Sequence, residues 1–185
     1  MNSQGAPHSL RAWWLAARPK TLSGALVSVV TATALAYASD TPHAAATLLA
    51  VLCAAFAGLM QIASNFINDL IDFRRGRDGE DRLGPERACA QGWITPQAMQ
   101  RGIAITLVLA AAVGLCSLVL FAHASQYPFA QLALWLGLVG VSCGAGAFLY
   151  TTHLSRLALG DVMVLIFFGL IPVSGTYFLL TDHLT

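Results

Sequence analysis

The sequence predicts an all-α protein, a polytopic transmembrane helix bundle of about five spans. Three observations carry that expectation. Hydrophobic residues make up 57% of the 185 and charged residues only 10%, with a mean hydropathy of +0.67, which is not the composition of an ordinary soluble domain. Five apolar runs come close to or exceed the roughly 20 residues that cross about 30 Å of hydrocarbon. All ten Lys and Arg residues fall in segments that five alternating spans bring to one side of the membrane, which the positive-inside rule makes cytoplasmic. A net charge of +1 and the lack of a basic stripe exclude a nucleic-acid partner.

A single membrane domain over 1–185 is expected. Residues 1–10 are polar and are read as a disordered tail. Residues 11–20, RAWWLAARPK, set Trp13 and Trp14 among basic residues, as in a helix lying at the membrane interface. The spans are placed at about 21–38, 44–67, 98–122, 130–150 and 160–181, with a cytoplasmic loop over 68–97. The first run could pass for a signal peptide with Ala36-Tyr37-Ala38 as its cleavage site, but it is long and further spans follow, so it is read as retained. Short connections at 123–129 and 151–159 favour antiparallel neighbours. Gly137, Gly140, Gly144 and Gly146 suit close helix packing in lipid. Four cysteines, without metal-ligand spacing, are read as small buried thiols.

The chemistry gathers in NFINDLIDFRRGRDGEDRLGPER, Asn65 to Arg87. At about 100° per helical residue, Asn65, Asn68, Asp69 and Asp72 share an arc of roughly 100°. Asp78 and Asp81 follow a break at Gly76, interleaved with Arg74, Arg75, Arg77, Arg82 and Arg87. Carboxylate and carboxamide oxygens suit a hard divalent cation, and guanidinium forks suit a phosphate. A solvated, topology-setting loop would account for the arginines. It accounts poorly for polar side chains inside an apolar run, which are a functional-site hypothesis by default.

Asn68-Asp69-x-x-Asp72 resembles the first aspartate-rich motif of the UbiA-type intramembrane prenyltransferases. Gly76-x-Asp78-x-x-Asp81-Arg82-x-Gly84-Pro85-x-Arg87-Ala88, Gly92-x-Ile94-x-Pro96 and Arg18-Pro19-Lys20-Thr21-Leu22 resemble the branch acting on 1,4-dihydroxy-2-naphthoate in menaquinone synthesis. The Arg-Thr-x-x-Arg-Pro pattern of the 4-hydroxybenzoate branch is absent. Weaker similarity, at Tyr150-Thr151, Phe167-Phe168-Gly169 and Gly175-Thr176-Tyr177, extends the resemblance over about residues 11–181.

The resemblance implies a Mg²⁺-dependent transfer of a polyprenyl chain from its diphosphate to an aromatic quinone precursor, in a cell inner membrane and among membrane lipid. It implies Asn68, Asp72, Asp78 and Asp81 as Mg²⁺ ligands, Asp69, Asp72 and Lys20 as catalytic candidates, and Asn65, Arg74, Arg82 and Arg87 as diphosphate partners. Tyr150 and Tyr177 are guesses for an aromatic face that steadies an allylic cation. Members of the family usually carry about nine helices and a second aspartate-rich motif, and no second DxxxD occurs here. The resemblance therefore implies the N-terminal part of an enzyme, from a truncated frame or a split product, inactive alone, with a possible partner chain supplying the missing helices. The alternatives are a non-catalytic fragment or subunit, or an ion or solute transporter.

Overall fold

The computed structural model describes residues 9–39, 42–76, 86–152 and 160–183, which are helical with short turns and no strand. Ser9 opens α1 (Leu10–Ala17) by accepting the Ala12 N–H on its hydroxyl at 3.2 Å, an N-cap that satisfies one of the free donors of a first turn. Arg18 turns left-handed at φ 52° and ends α1. Pro19, whose fixed φ suits a first helical position, starts α2 (Pro19–Ser39).

α3 (Ala46–Arg74) is 29 residues long, about 43 Å at 1.5 Å per residue. The expected span ended at Ile67 with a loop from 68, but α3 continues unbroken through Arg74. Its length exceeds a hydrocarbon slab of about 30 Å, so its last turns reach the interface, where polar side chains cost far less than at the bilayer centre. Gly76 stops it in the left-handed region at φ 62°.

Thr95 and Pro96 begin α4 (Pro96–Ala122), the threonine hydroxyl accepting the Ala98 N–H at 3.3 Å. α5 (Phe129–Thr152) follows. The last rod comprises α6 (Gly160–Val164), a π-helical stretch over Leu165–Leu170 and α7 (Ile171–Thr181). Among the described residues, five helical segments are long and apolar enough to cross a membrane: Pro19–Ala38, Ala46–Arg74, Pro96–Ala122, Phe129–Phe148 and Asp161–Thr181.

α3 is the central element, packing on α1, α2, α4, α5 and α7. Two apolar clusters hold the ends of the bundle. One joins Ala12, Phe66, Ile67, Leu70, Trp93, Ile94, Met99 and Ile103 at the end where α3 stops. The other joins Ala36, Leu49, Phe121, Leu132, Tyr177 and Leu180 at the opposite end. There Asp182 accepts from the Ser125 hydroxyl at 2.5 Å and the Gln126 N–H at 3.0 Å, tying the last rod to the α4–α5 turn. Large apolar side chains such as Val27, Val108, Leu134 and Leu138 point outward, as a lipid-facing surface requires.

Candidate functional site

Near its C-terminal end α3 carries a polar ridge on an otherwise apolar helix. Taking Asn65 as zero and about 100° per residue, Ser64, Asn68, Gln61 and Asp72 lie to one side at about −100°, −60°, −40° and −20°, and Asp69 to the other at about +40°. That spread divides the ridge into three jobs.

The first side faces a partly open cavity of about 690 Å³ lined by α2, α3, α4, α5 and the last rod. Gln61, Ser64, Asn65 and Asn68 line its polar end. Phe56, Met60, Leu136, Phe167 and Phe168 line apolar parts of its wall. The two last residues come from the π-helical stretch, a widened turn that occurs often at functional sites. The Ser28 hydroxyl donates to the Phe168 carbonyl and fixes that stretch against α2. Gly146 of α5 lies directly under the Phe167 ring, where a Cβ would come within 2.7 Å. Sequence reasoning did not single out Gln61 or Ser64, although their positions one turn before Asn65 and Asn68 continue the same helical period.

The middle of the ridge is a brace. The Asn65 amide donates to the Ala17 carbonyl at 2.8 Å and to the Thr21 hydroxyl at 2.9 Å, while its oxygen accepts from Gln61 at 3.3 Å. Thr21 donates its hydroxyl to the Arg18 carbonyl at 2.9 Å and accepts a second bond from Gln61 at 3.2 Å. One donor and two lone pairs are thus all in use. This network joins the Arg-Pro-Lys-Thr-Leu segment to the polar ridge, two motifs far apart in the chain. Asn65 therefore contributes to the cavity wall while both of its N–H groups are committed to holding α1 and α2.

Asp69, at the far edge, is 1% exposed. Its carboxylate accepts the backbone N–H groups of Ala88 at 2.8 Å and Cys89 at 3.0 Å. Those donors belong to a tight turn that Gly92 closes at φ 69°. The N–H groups of Trp93 and Ile94 both return to the Ala88 carbonyl, at 2.9 and 3.2 Å. The turn presents Arg87, which forms an ion pair with Asp72 in which both side chains are largely buried. Asn68 and Asp72, one helical turn apart, remain the oxygen donors next to the polar end of the cavity.

The other expected site residues lie apart from this group. Arg74 is exposed in the last turn of α3, and Lys20 is exposed in the first turn of α2. Asp78, Asp81 and Arg82 lie outside the described residues, and the Tyr150 side chain is likewise not described. Tyr177 is buried in the cluster at the opposite end of the bundle, edge-on to His183, so it is remote from the ridge. Among the described residues no three His, Cys, Asp or Glu side chains converge as a metal site.

Comparison with known proteins accords with this architecture. The profile of the UbiA prenyltransferase family matches residues 25–185. A 1,4-dihydroxy-2-naphthoate octaprenyltransferase of Haemophilus influenzae is 38% identical over 95% of this chain and 56% of its own length. The protein of that name from Escherichia coli is 38% identical over 91% of this chain and 53% of its own, and that from Mycobacterium tuberculosis 35% identical over 92% and 54%. The chain thus spans about half the length of these curated relatives. No solved structure matches it. On the family profile and the extent of these similarities, the chain belongs to the UbiA prenyltransferase family.

Proposed function

We propose that this chain binds a polyprenyl diphosphate for transfer to an aromatic acceptor, 1,4-dihydroxy-2-naphthoate in menaquinone synthesis. The single observation that carries the reading is the polarity of the cavity. An apolar chamber within the bundle ends in carboxamides, with the Asp72–Arg87 pair beyond it at the interface. A prenyl diphosphate has the same asymmetry, a long hydrocarbon and a compact anion. The relatives named above are prenyltransferases acting on that naphthoate, which supports the choice of acceptor.

The donor set suits Mg²⁺. That ion is commonly held by one or two protein oxygens together with substrate phosphates and water. The Asn68 oxygen and the Asp72 carboxylate meet that requirement, and Asp78 and Asp81 would extend the set. When bound, the ion would supply positive charge against the leaving diphosphate.

The residues of the chain do the rest. Arg87 is aimed at the same place, and Arg82 is a further cation for the phosphate oxygens, whose fork geometry guanidinium matches; Arg74, on the opposite face of α3, is not part of this set. The apolar wall sequesters the allylic carbon from water. The C–O bond to the diphosphate breaks with its electron pair on oxygen. The electron-rich ring attacks the allylic cation and forms the C–C bond, and the naphthoate carboxylate leaves as CO₂. In this reading the acidic end faces the cytoplasm of a cell inner membrane.

A thermal-shift assay tests the reading. A prenyl diphosphate with Mg²⁺ should raise the unfolding temperature of the wild-type chain, and Asp72→Ala should abolish that protection. Equal protection of the variant would refute the site assignment.

A further inference from the structure

We propose that Asp69 is a positioning residue: it locks the Arg87–Ile94 turn onto α3 and thereby holds the Arg87 guanidinium at Asp72. The lock rests on geometry alone. The ligand that Arg87 awaits rests on the diphosphate reading given above.

A carboxylate that is 1% exposed needs partners close at hand, because burying an unpaired charge is costly. Asp69 has two, the adjacent backbone N–H groups of Ala88 and Cys89 at 2.8 and 3.0 Å. Hydrogen bonds to an ionised acceptor are about twice as strong as neutral ones. The pair fixes the chain at the residue directly after Arg87. The same turn is held from its other side by apolar packing, since Trp93 and Ile94 join Phe66, Ile67, Leu70, Met99 and Ile103 in one buried cluster. Fastened on both sides, the turn leaves the Arg87 side chain little choice of direction, and it meets Asp72.

The ridge geometry explains why Asp69 and Asp72 differ although both are aspartates of one motif. They are separated by about 60° around α3. Asp72 lies on the side of Asn68 and the cavity, whereas Asp69 faces the turn. Burial closes Asp69 to an incoming ion. Asp72 keeps partial exposure, its side chain being 17% accessible. Arg87 then serves as the resident counter-ion of Asp72, close enough to move onto a diphosphate that arrives beside it. In this division of labour Asp69 acts on the ligand only through Arg87.

Two readouts on the full chain in lipid nanodiscs test the proposal. The first needs no ligand. Cys89 is buried in the docked turn, so a water-soluble maleimide should label it slowly in the wild type and at least about tenfold faster in Asp69→Asn, as mapped by mass spectrometry. Asparagine keeps the shape but turns an NH₂ toward one of the two N–H donors, which loses a bond of this class. Ile94→Ala, which loosens the turn from its apolar side with Asp69 intact, should also expose Cys89. Equal protection of Cys89 in both variants would overturn the lock.

The second readout is the affinity for inorganic pyrophosphate with Mg²⁺. Asp69→Asn and Arg87→Gln should each weaken it by about tenfold or more. The double variant should be no weaker than Arg87→Gln alone, because coupled residues are non-additive. Additive losses would overturn the proposal and make Asp69 a ligand contact in its own right. If the wild type binds no pyrophosphate, the diphosphate reading falls with any role for Arg87 toward it, and Cys89 labelling still decides the lock.

Discussion

Asn65→Ala separates holding the site from binding at the site. The substitution removes three hydrogen bonds, to Ala17 at 2.8 Å, to Thr21 at 2.9 Å and from Gln61 at 3.3 Å. Bonds between membrane helices average about 0.6 kcal/mol and reach about 1.7, so the two to α1 and α2, with a similar allowance for the Gln61 bond within α3, contribute roughly 2–5 kcal/mol. The lower figure applies because Gln61 can still reach Thr21 at 3.2 Å. For a chain of this size about 2 kcal/mol corresponds to a fall of roughly 4–8 °C in the unfolding midpoint. Both Asn65 N–H groups are engaged with protein, so the affinity for pyrophosphate and Mg²⁺, measured well below the midpoint, should change much less than in Asp72→Ala. Paired thermal unfolding and calorimetric titration in nanodiscs measure both quantities. An unchanged midpoint with lost affinity would refute the brace and make Asn65 a direct ligand contact.

Two further substitutions probe the frame. Gly102→Ala places a Cβ 2.5 and 2.7 Å from two carbons of the Trp13 ring, which itself stands edge-on to Phe66 at 5.4 Å. Overpacking of about 1–3 kcal/mol outweighs a helix-propensity gain of about 1 kcal/mol, so Tm should fall by a few degrees with altered Trp13 fluorescence. A higher Tm with unchanged emission would contradict that packing. For topology, a maleimide that cannot cross membranes should label Arg75→Cys only from the cytoplasmic side and Gln126→Cys only from the outside. The reverse pattern would move the acidic end to the wrong face.

The spans and the polar ridge were legible because each rests on composition or period. Twenty apolar residues in a row have few alternatives in water, and four oxygen-bearing side chains within one helical arc survive any uncertainty about the ends of the helix. Angular resolution within that arc was not legible. The sequence placed Asn65, Asn68, Asp69 and Asp72 together, whereas neighbours at different angles assign one to a brace, one to a turn and two to the cavity side. Which way each points depends on Ala17, Thr21, Ala88 and Cys89, and three of those contacts are to backbone groups that no residue pattern displays. The docked turn at Arg87–Ile94 was hidden for the same reason. Gly92-x-Ile94-x-Pro96 stood in the sequence only as a family motif, and the burial of the turn comes from Trp93 and Ile94 meeting α3 and α4. The continuation of α3 past Ile67 was obscured by its charges, which read as loop although the interface tolerates them on a helix.

The most direct test of the proposed function is to find where a prenyl diphosphate sits. A photoreactive analogue carrying a diazirine along its hydrocarbon would be irradiated with the chain in nanodiscs and Mg²⁺, and the adducts mapped by mass spectrometry. Adducts should fall on the cavity wall, at Phe56, Met60, Phe167 and Phe168, and disappear with excess unlabelled prenyl diphosphate. Adducts confined to outward-facing residues such as Val108 and Leu138, or unaffected by the competitor, would contradict the assignment of the cavity.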